Sequence, residues 1–220
     1  MSLKKRLLPF LAAFALLCGC AALKPAGEEP AGPPKLKASS IRARAVVEIK
    51  RKTFTAAGRA AILAKAPGSF RIEVFAPFGQ TAALIASDGR RLLVDSDGAA
   101  REFLWGDPEI PYSFGAEEVV SFLTGGQSAL SPASSGASET RDEWGRLREY
   151  YRPAADGDAL KVTLTEYRDV SGAHIPFHIR IEDGRRDLAI KYTEVEIDPL
   201  LGDDLFELEA HSDPGPKEVD

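Results

Sequence analysis

From Ile41 onward apolar residues recur at every second position, and a period of two confines this chain to strands. Ile41, Ala43, Ala45, Val47 and Ile49 share one face, while Arg42, Arg44, Glu48 and Lys50 share the other. Phe54, Ala56, Gly58, Ala60, Ile62 and Ala64 continue an apolar face in the next segment, and Phe70, Ile72 and Val74 do so in a third, opposite Arg71 and Glu73. Short strands are predicted at 81–86, 91–95 and 101–105, with Asp88-Gly89 and Asp97-Gly98 as hairpin turns. Leu160, Val162 and Leu164 repeat the pattern. Ile175, Phe177, Ile179 and Ile181 alternate with His174, Pro176, His178, Arg180 and Glu182, and Leu188, Ile190 and Tyr192 belong to a last strand that ends near Ile197. Alternation with short turns predicts an antiparallel sheet with one wet face. Only 116–124 reads as helix, with Glu117 and Glu118 in its first turn and Gly125-Gly126 at its stop. Residues 126–143, rich in Ser, Gly and Ala, read as a surface loop. About ten strands and one or two helices do not make a doubly wound fold. The expected class is mainly β with a few helices: an unclosed antiparallel β-barrel whose apolar concave face is covered by helix.

The N-terminus sets the address. Lys4, Lys5 and Arg6 precede the apolar run from Leu7 to Leu17, the charged and hydrophobic regions of a secretory signal. That run is too short to span a bilayer. Leu17-Cys18-Gly19-Cys20 resembles a bacterial lipobox, so cleavage before Cys20 and acylation of Cys20 are expected. This divides the chain into a signal peptide at 1–19, a lipidated cysteine with a Pro-rich tether at 20–40, a folded domain at 41–210 and an acidic tail at 211–220. Residues 21–40 hold four prolines and two glycines and too little apolar surface for a core. Ala21 after the cysteine, by likeness to the sorting rule of enteric bacteria, favours the outer membrane over the inner, with the domain on the periplasmic face. Loss of residues 1–19, which contain three basic and no acidic residues, takes the net charge from −5 to −8. An acidic chain without a basic block argues against nucleic acid as partner, and anchoring then falls to the lipid.

Chemistry-bearing constellations are weak. His174 and His178 fall on the polar face of one strand without a third ligand nearby, and His211 sits in the tail. The two cysteines, Cys18 and Cys20, leave none for a disulfide or metal site in the domain. No nucleophile elbow, phosphate loop or zinc-protease motif occurs. We therefore expect no enzyme, no metal and no cofactor.

The inward face says more. Ala56, Gly58, Ala60 and Ala64 stand where a filled barrel would use Val, Ile or Leu. Beside Phe54, Ile62, Phe70, Ile72, Val74, Phe177 and Ile179 they leave either an apolar void suited to an acyl chain or room that the helix fills. Composition leaves both arrangements open. Between two strands, Pro77-Phe78-Gly79 forms a turn in which Pro77 presets φ and Gly79 supplies the permissive dihedral. Phe78 then either projects from the tip, where a large apolar side chain needs an apolar partner, or folds back on the sheet.

The order of these elements resembles the LolB-like outer-membrane lipoproteins, whose fold is shared with the LolA carriers. The similarity covers roughly 41–125 and, more loosely, the ending Val195-Glu196-Ile197 and Phe206-Glu207-Leu208. The resemblance implies an unclosed barrel with helices over its mouth and a hydrophobic cavity for lipoprotein acyl chains. It also implies a monomer, a LolA-like periplasmic partner, and membrane insertion by a protruding apolar residue, usually leucine, at the position of Phe78. The cavity would be lined by Phe54, Ala56, Gly58, Ala60, Ile62, Phe70, Ile72, Val74, Phe177 and Ile179. The function expected is acceptance of lipoprotein acyl chains and their delivery to the outer membrane. The alternatives are carriage of another envelope lipid, or an assembly lipoprotein with a packed interior that binds a protein partner.

Overall fold

The computed structural model describes residues 38–51, 54–96, 99–107, 109–110, 114–125, 136–153, 159–184 and 186–208. All lie in the compact unit Pro33–Asp220. Cys20 and His211 fall outside the described residues. Among the described residues eleven strands form one antiparallel sheet. In chain order they are β1 (Ser40–Arg51), β2 (Phe54–Lys65), β3 (Ser69–Phe75), β4 (Thr81–Asp88), β5 (Arg91–Ser96) and β6 (Ala99–Leu104), then β7 (Ser138–Arg141), β8 (Leu147–Arg152), β9 (Leu160–Val170), β10 (Ala173–Glu182) and β11 (Arg186–Ile197). One helix, α1 (Ala116–Thr124), links the two runs, and a 3-10 turn covers Asp203–Phe206. The order across the sheet is β6-β5-β4-β3-β2-β1-β11-β10-β9-β8-β7, so β6 and β7 are its edges among the described residues and the barrel is unclosed.

Register gives the sheet two ends. Ser40 faces Lys65, which faces Ser69, which faces Asp88; these lie at one end with the close of β11. Arg51, Phe54, Thr81 and Ser96 lie toward the other. Helix α1 crosses the inner face at the first end. Ala116 packs so tightly on Gly68 that a Cβ there would sit 2.8 Å from the Ala116 Cβ, and Gly125 closes the helix in the left-handed region (φ 68°) under the His174 carbonyl. Val120, Phe122 and Leu123 thereby join Ile41, Ile62, Phe70 and Ile179 in the main core.

Several elements depart from the sequence reading. The stretch at 126–143 is not all loop, because Ser138–Arg141 forms β7. Strand β8 had no counterpart in the periodicity, since the adjacent Tyr150 and Tyr151 blur its alternation. Pro176 is buried rather than on the wet face, since the end of α1 packs on its ring. The outer face is also not uniformly wet: Leu84, Ala86 and Leu93 are buried there with Leu208 packed against them. Lys65 holds the segment that reaches Leu208, donating to the Leu201 carbonyl at 3.0 Å and to Asp203 at 2.7 Å.

Candidate functional site

The inner face carries a packed part and a half-buried part. In the packed half Ala60, Ile62, Ala64, Phe70, Phe177 and Ile179 are buried with α1. The helix is held at both ends. Glu118 accepts from the Gly115 backbone N–H at 2.8 Å and from the Tyr150 hydroxyl at 2.9 Å, and the Arg152 guanidinium lies against it. At the other end the Tyr192 hydroxyl donates to the Leu123 carbonyl at 3.0 Å, satisfying an orphan acceptor of the helix terminus. Burial pushes the Tyr192 phenol far above its ordinary value, so it remains a donor. Phe177 meets Tyr192 edge-on at 6.1 Å between ring centroids, and the Arg168 guanidinium lies over the Phe177 ring at 4.1 Å.

Toward the other end the cover thins: Leu188, Ile49 and Ala56 share one level of the sheet and are half-buried, as is Gly58. Ile72 and Val74 are half-buried too, although they stand in register with buried Ile62 and Ala60, and with Ile49 and Leu188 they pack against the rim of the core. The structure therefore brings nine of the expected lining residues onto one face, five of them buried (Ala60, Ile62, Phe70, Phe177 and Ile179) and four half-buried (Ala56, Gly58, Ile72 and Val74). The side chain of Phe54 lies outside the described residues. Gly58 is small for a reason other than a void. A Cβ there would stand 3.0 Å from Val74 Cγ1 and 3.2 Å from the Phe75 carbonyl, so glycine lets β3 lie close.

The β3–β4 connection projects toward the end at which Ile49, Ala56 and Leu188 are half-buried. Gly79 N–H donates to the Ala76 carbonyl at 2.9 Å, Ala76 N–H donates to the Gln80 carbonyl at 2.8 Å, and Gly79 takes φ 87°. This is a three-residue hairpin loop whose last position needs a left-handed residue. It holds Phe78 at 91% exposure rather than folded back on the sheet.

Sequence reasoning missed a groove of about 580 Å³ on the outer face, between β11, β1, β2, β3 and the 3-10 turn. Its walls carry Ala61, Leu63 and Leu205 among the pairs Arg42–Glu196 (2.9 Å), Arg44–Glu194 (3.5 Å) and Arg71–Glu73 (2.6 Å). Each of these arginines faces a carboxylate, and such walls suit neither an acyl chain nor an anion. The outward charges of β1 and β11 were legible, but the rim supplied by Asp204 and Leu205 was not. His174 and His178 are half-buried, and among the described residues no group of three or more His, Cys, Asp or Glu is placed to hold a metal. No helix among them is long and apolar enough to cross a membrane.

No protein-family model matches the sequence, and no curated protein matches it either. Solved structures do. A LolA superfamily protein from Nitrosomonas europaea is similar with a TM-score of 0.53 at 11% identity, covering 81% of this chain and 94% of that one. A DUF1329 family protein from Desulfovibrio piger gives 0.55 at 12% identity, over 77% and 90%. A domain described as an outer membrane lipoprotein-sorting protein, from Vibrio parahaemolyticus, gives 0.53 at 9% identity, over 76% and 89%. Identities this low speak for the fold. The chain is a mainly β protein built on an unclosed antiparallel barrel with one helix inside. That architecture is the LolA/LolB-like fold.

Proposed function

We propose that this protein is an envelope carrier, anchored by an acylated Cys20 at the periplasmic face of the outer membrane, that accepts lipoprotein acyl chains and delivers them to the bilayer. One observation carries the reading: the half-buried apolar residues Ile49, Ala56 and Leu188 of the inner face lie toward the end from which Phe78 projects at 91% exposure. An acyl chain laid along Ile49, Ala56, Val74 and Leu188 covers surface that is now half exposed, at about 0.8 kcal/mol per buried CH₂. Transfer of this kind needs no nucleotide, because the chain moves between apolar environments. The donor would be a soluble LolA-like carrier, and the receiving protein would act as a monomer.

Mass spectrometry of lipids retained on the purified protein tests the reading, paired with Ala56→Phe, which adds a ring at a half-buried position of the inner face. Acyl-bearing cargo on the wild type and its loss from a folded variant are expected. A different envelope lipid would keep the site and change the cargo. A second reading has an observation of its own, because α1 already fills the other half of the face. An empty wild type that binds no acyl probe selects that assembly-protein reading.

A further inference from the structure

Register lines up a row of outward side chains at one level of the outer face. Phe75 of β3 faces Arg59 of β2, Arg59 faces Val46 of β1, Val46 faces Lys191 of β11, and Lys191 faces His178 of β10. Arg59, Val46 and Lys191 are exposed, Val46 at 38%, while Phe75 and His178 are half-buried. The two cations of this row differ from those around them. Lys50 holds Glu48 at 3.0 Å, Arg44 holds Glu194 at 3.5 Å, Arg71 holds Glu73 at 2.6 Å and Arg180 holds Asp187 at 2.5 Å. Among the described residues no carboxylate pairs with Arg59 or with Lys191. His178 stands 3.9 Å from Glu166 at the far end of the row. This level therefore keeps a local positive excess on a chain that is acidic as a whole.

We infer that Arg59 and Lys191 bind the phosphate groups of anionic phospholipid while Phe78 is in the bilayer. This inference rests on the carrier reading, in which Phe78 enters the membrane. Paired strands lie about 4.8 Å apart, so Arg59 and Lys191 stand about 10 Å from each other on either side of Val46. Phe78 follows Phe75 by three residues and lies at most about 11 Å from it. The polar layer on each side of the hydrocarbon is about 5–8 Å deep. With the Phe78 ring just below that layer, the long side chains of Arg59 and Lys191 reach phosphate oxygens. Neither has to release a carboxylate first, as Arg180 would. The acidity of the rest of the chain does not oppose the contact, because charges more than about 8 Å away are screened at physiological ionic strength. Val46 and Phe75, apolar and in the same row, suit the boundary between headgroup and acyl chain better than a wholly polar partner.

The test uses the mature chain, residues 20–220, with Cys20→Ser, so that no acyl anchor holds it to the vesicle. Partition is measured by sedimentation with vesicles of phosphatidylglycerol or of phosphatidylcholine. Each basic residue at an anionic surface is worth about fivefold, so partition onto phosphatidylglycerol should be greater by about 30-fold. Arg59→Gln and Lys191→Gln should each lower it about fivefold, and the double variant should lose the lipid preference. Arg148→Gln, at an exposed cation on β8, should change it less than about twofold. Thermal melts should coincide, because the substituted residues are exposed. Phe78→Glu should weaken partition onto both lipids alike. Equal partition of the wild type onto the two lipids, or an Arg148 effect as large as that of Arg59, overturns the inference and leaves the reading of Phe78 intact. No effect of Phe78→Glu on either lipid overturns both. Poly-glutamate bound by the wild type and lost from the double variant, with lipid partition equal between them, assigns the row to an acidic protein and overturns the membrane assignment.

Discussion

Exchanging Phe78 for Glu separates delivery from folding. The ring is 91% exposed and its turn is set by Pro77 and Gly79, neither of which changes. The melting midpoint should therefore stay within the range of an ordinary surface substitution, about 0.5 kcal/mol either way. At a membrane the account differs. Burying the phenylalanine side chain in hydrocarbon is worth roughly 2 kcal/mol, and at 1.4 kcal/mol per decade its loss lowers the membrane-engaged population by about 30-fold. A carboxylate adds a desolvation cost, so the figure is a lower bound. The assay is transfer of a fluorescent acylated peptide from the loaded protein into vesicles, run beside a thermal melt and a binding titration. Folding and binding should be unchanged, transfer should fall by an order of magnitude or more, and Phe78→Leu should retain most of it. A midpoint drop of many degrees would show that the ring is buried in solution. Unchanged transfer would show that the exposed ring has no part in delivery.

Three further outcomes follow from other parts of the molecule. Cys20→Ser should release the protein from membranes or stop its maturation, as read by fractionation and intact-mass analysis; full retention of the variant would remove the lipid anchor from the account. Gly125→Ala should destabilise by about 2 kcal/mol or more, read by denaturant titration. Its Cβ would lie 2.7 Å from both the His174 carbonyl and Pro176 Cδ, at φ 68°. The Arg180 guanidinium grips Asp187 through contacts of 2.9 and 2.5 Å and holds its carboxyl below the usual range, with Lys50 and His178 adding to the effect. A depressed folded-state value stabilises above the unfolded value near 4 and is lost as pH falls through the folded value. Acid denaturation should thus begin below about pH 4 and be less steep in Asp187→Asn, with under about 1 kcal/mol at neutral pH because the pair is partly exposed.

The helix was legible because Glu117, Glu118 and Gly125 mark its ends, and the structure places α1 at the same residues. The long strands were legible because one face packs and the other is charged. What escaped had physical reasons. Strand β7 is Ser-Glu-Thr-Arg, four polar residues at a sheet edge, where pairing with β8 rather than burial sets conformation. The burial of Leu84, Ala86 and Leu93 depends on Leu208, more than a hundred residues away, which no local period reveals. At the site, the turn at Phe78 could be read from Pro77 and Gly79. The division of the inner face could not, because it depends on where α1 lies across the sheet. Gly58 showed the limit of composition: the same small residue serves a void or a close strand approach, and only the 3.0 Å approach to Val74 separates them.

The middle of the sheet joins the two ends of the folded chain. Arg42 bonds Glu196 across 154 residues of sequence, and β1 pairs with β11 nearly throughout its length. Strands β1 to β6 pair through neighbouring hairpins and can form as the chain emerges, but one edge of β1 has no native mate until residues 186–197 exist. Long-range pairing of this kind slows folding, and an open edge in the meantime is a template for any other strand. A chain stopped before Arg186 would keep that edge bare. Truncations at the C-terminal end should therefore yield aggregates that grow from β1, whereas loss of β7 removes only a strand that was already at the margin of the sheet.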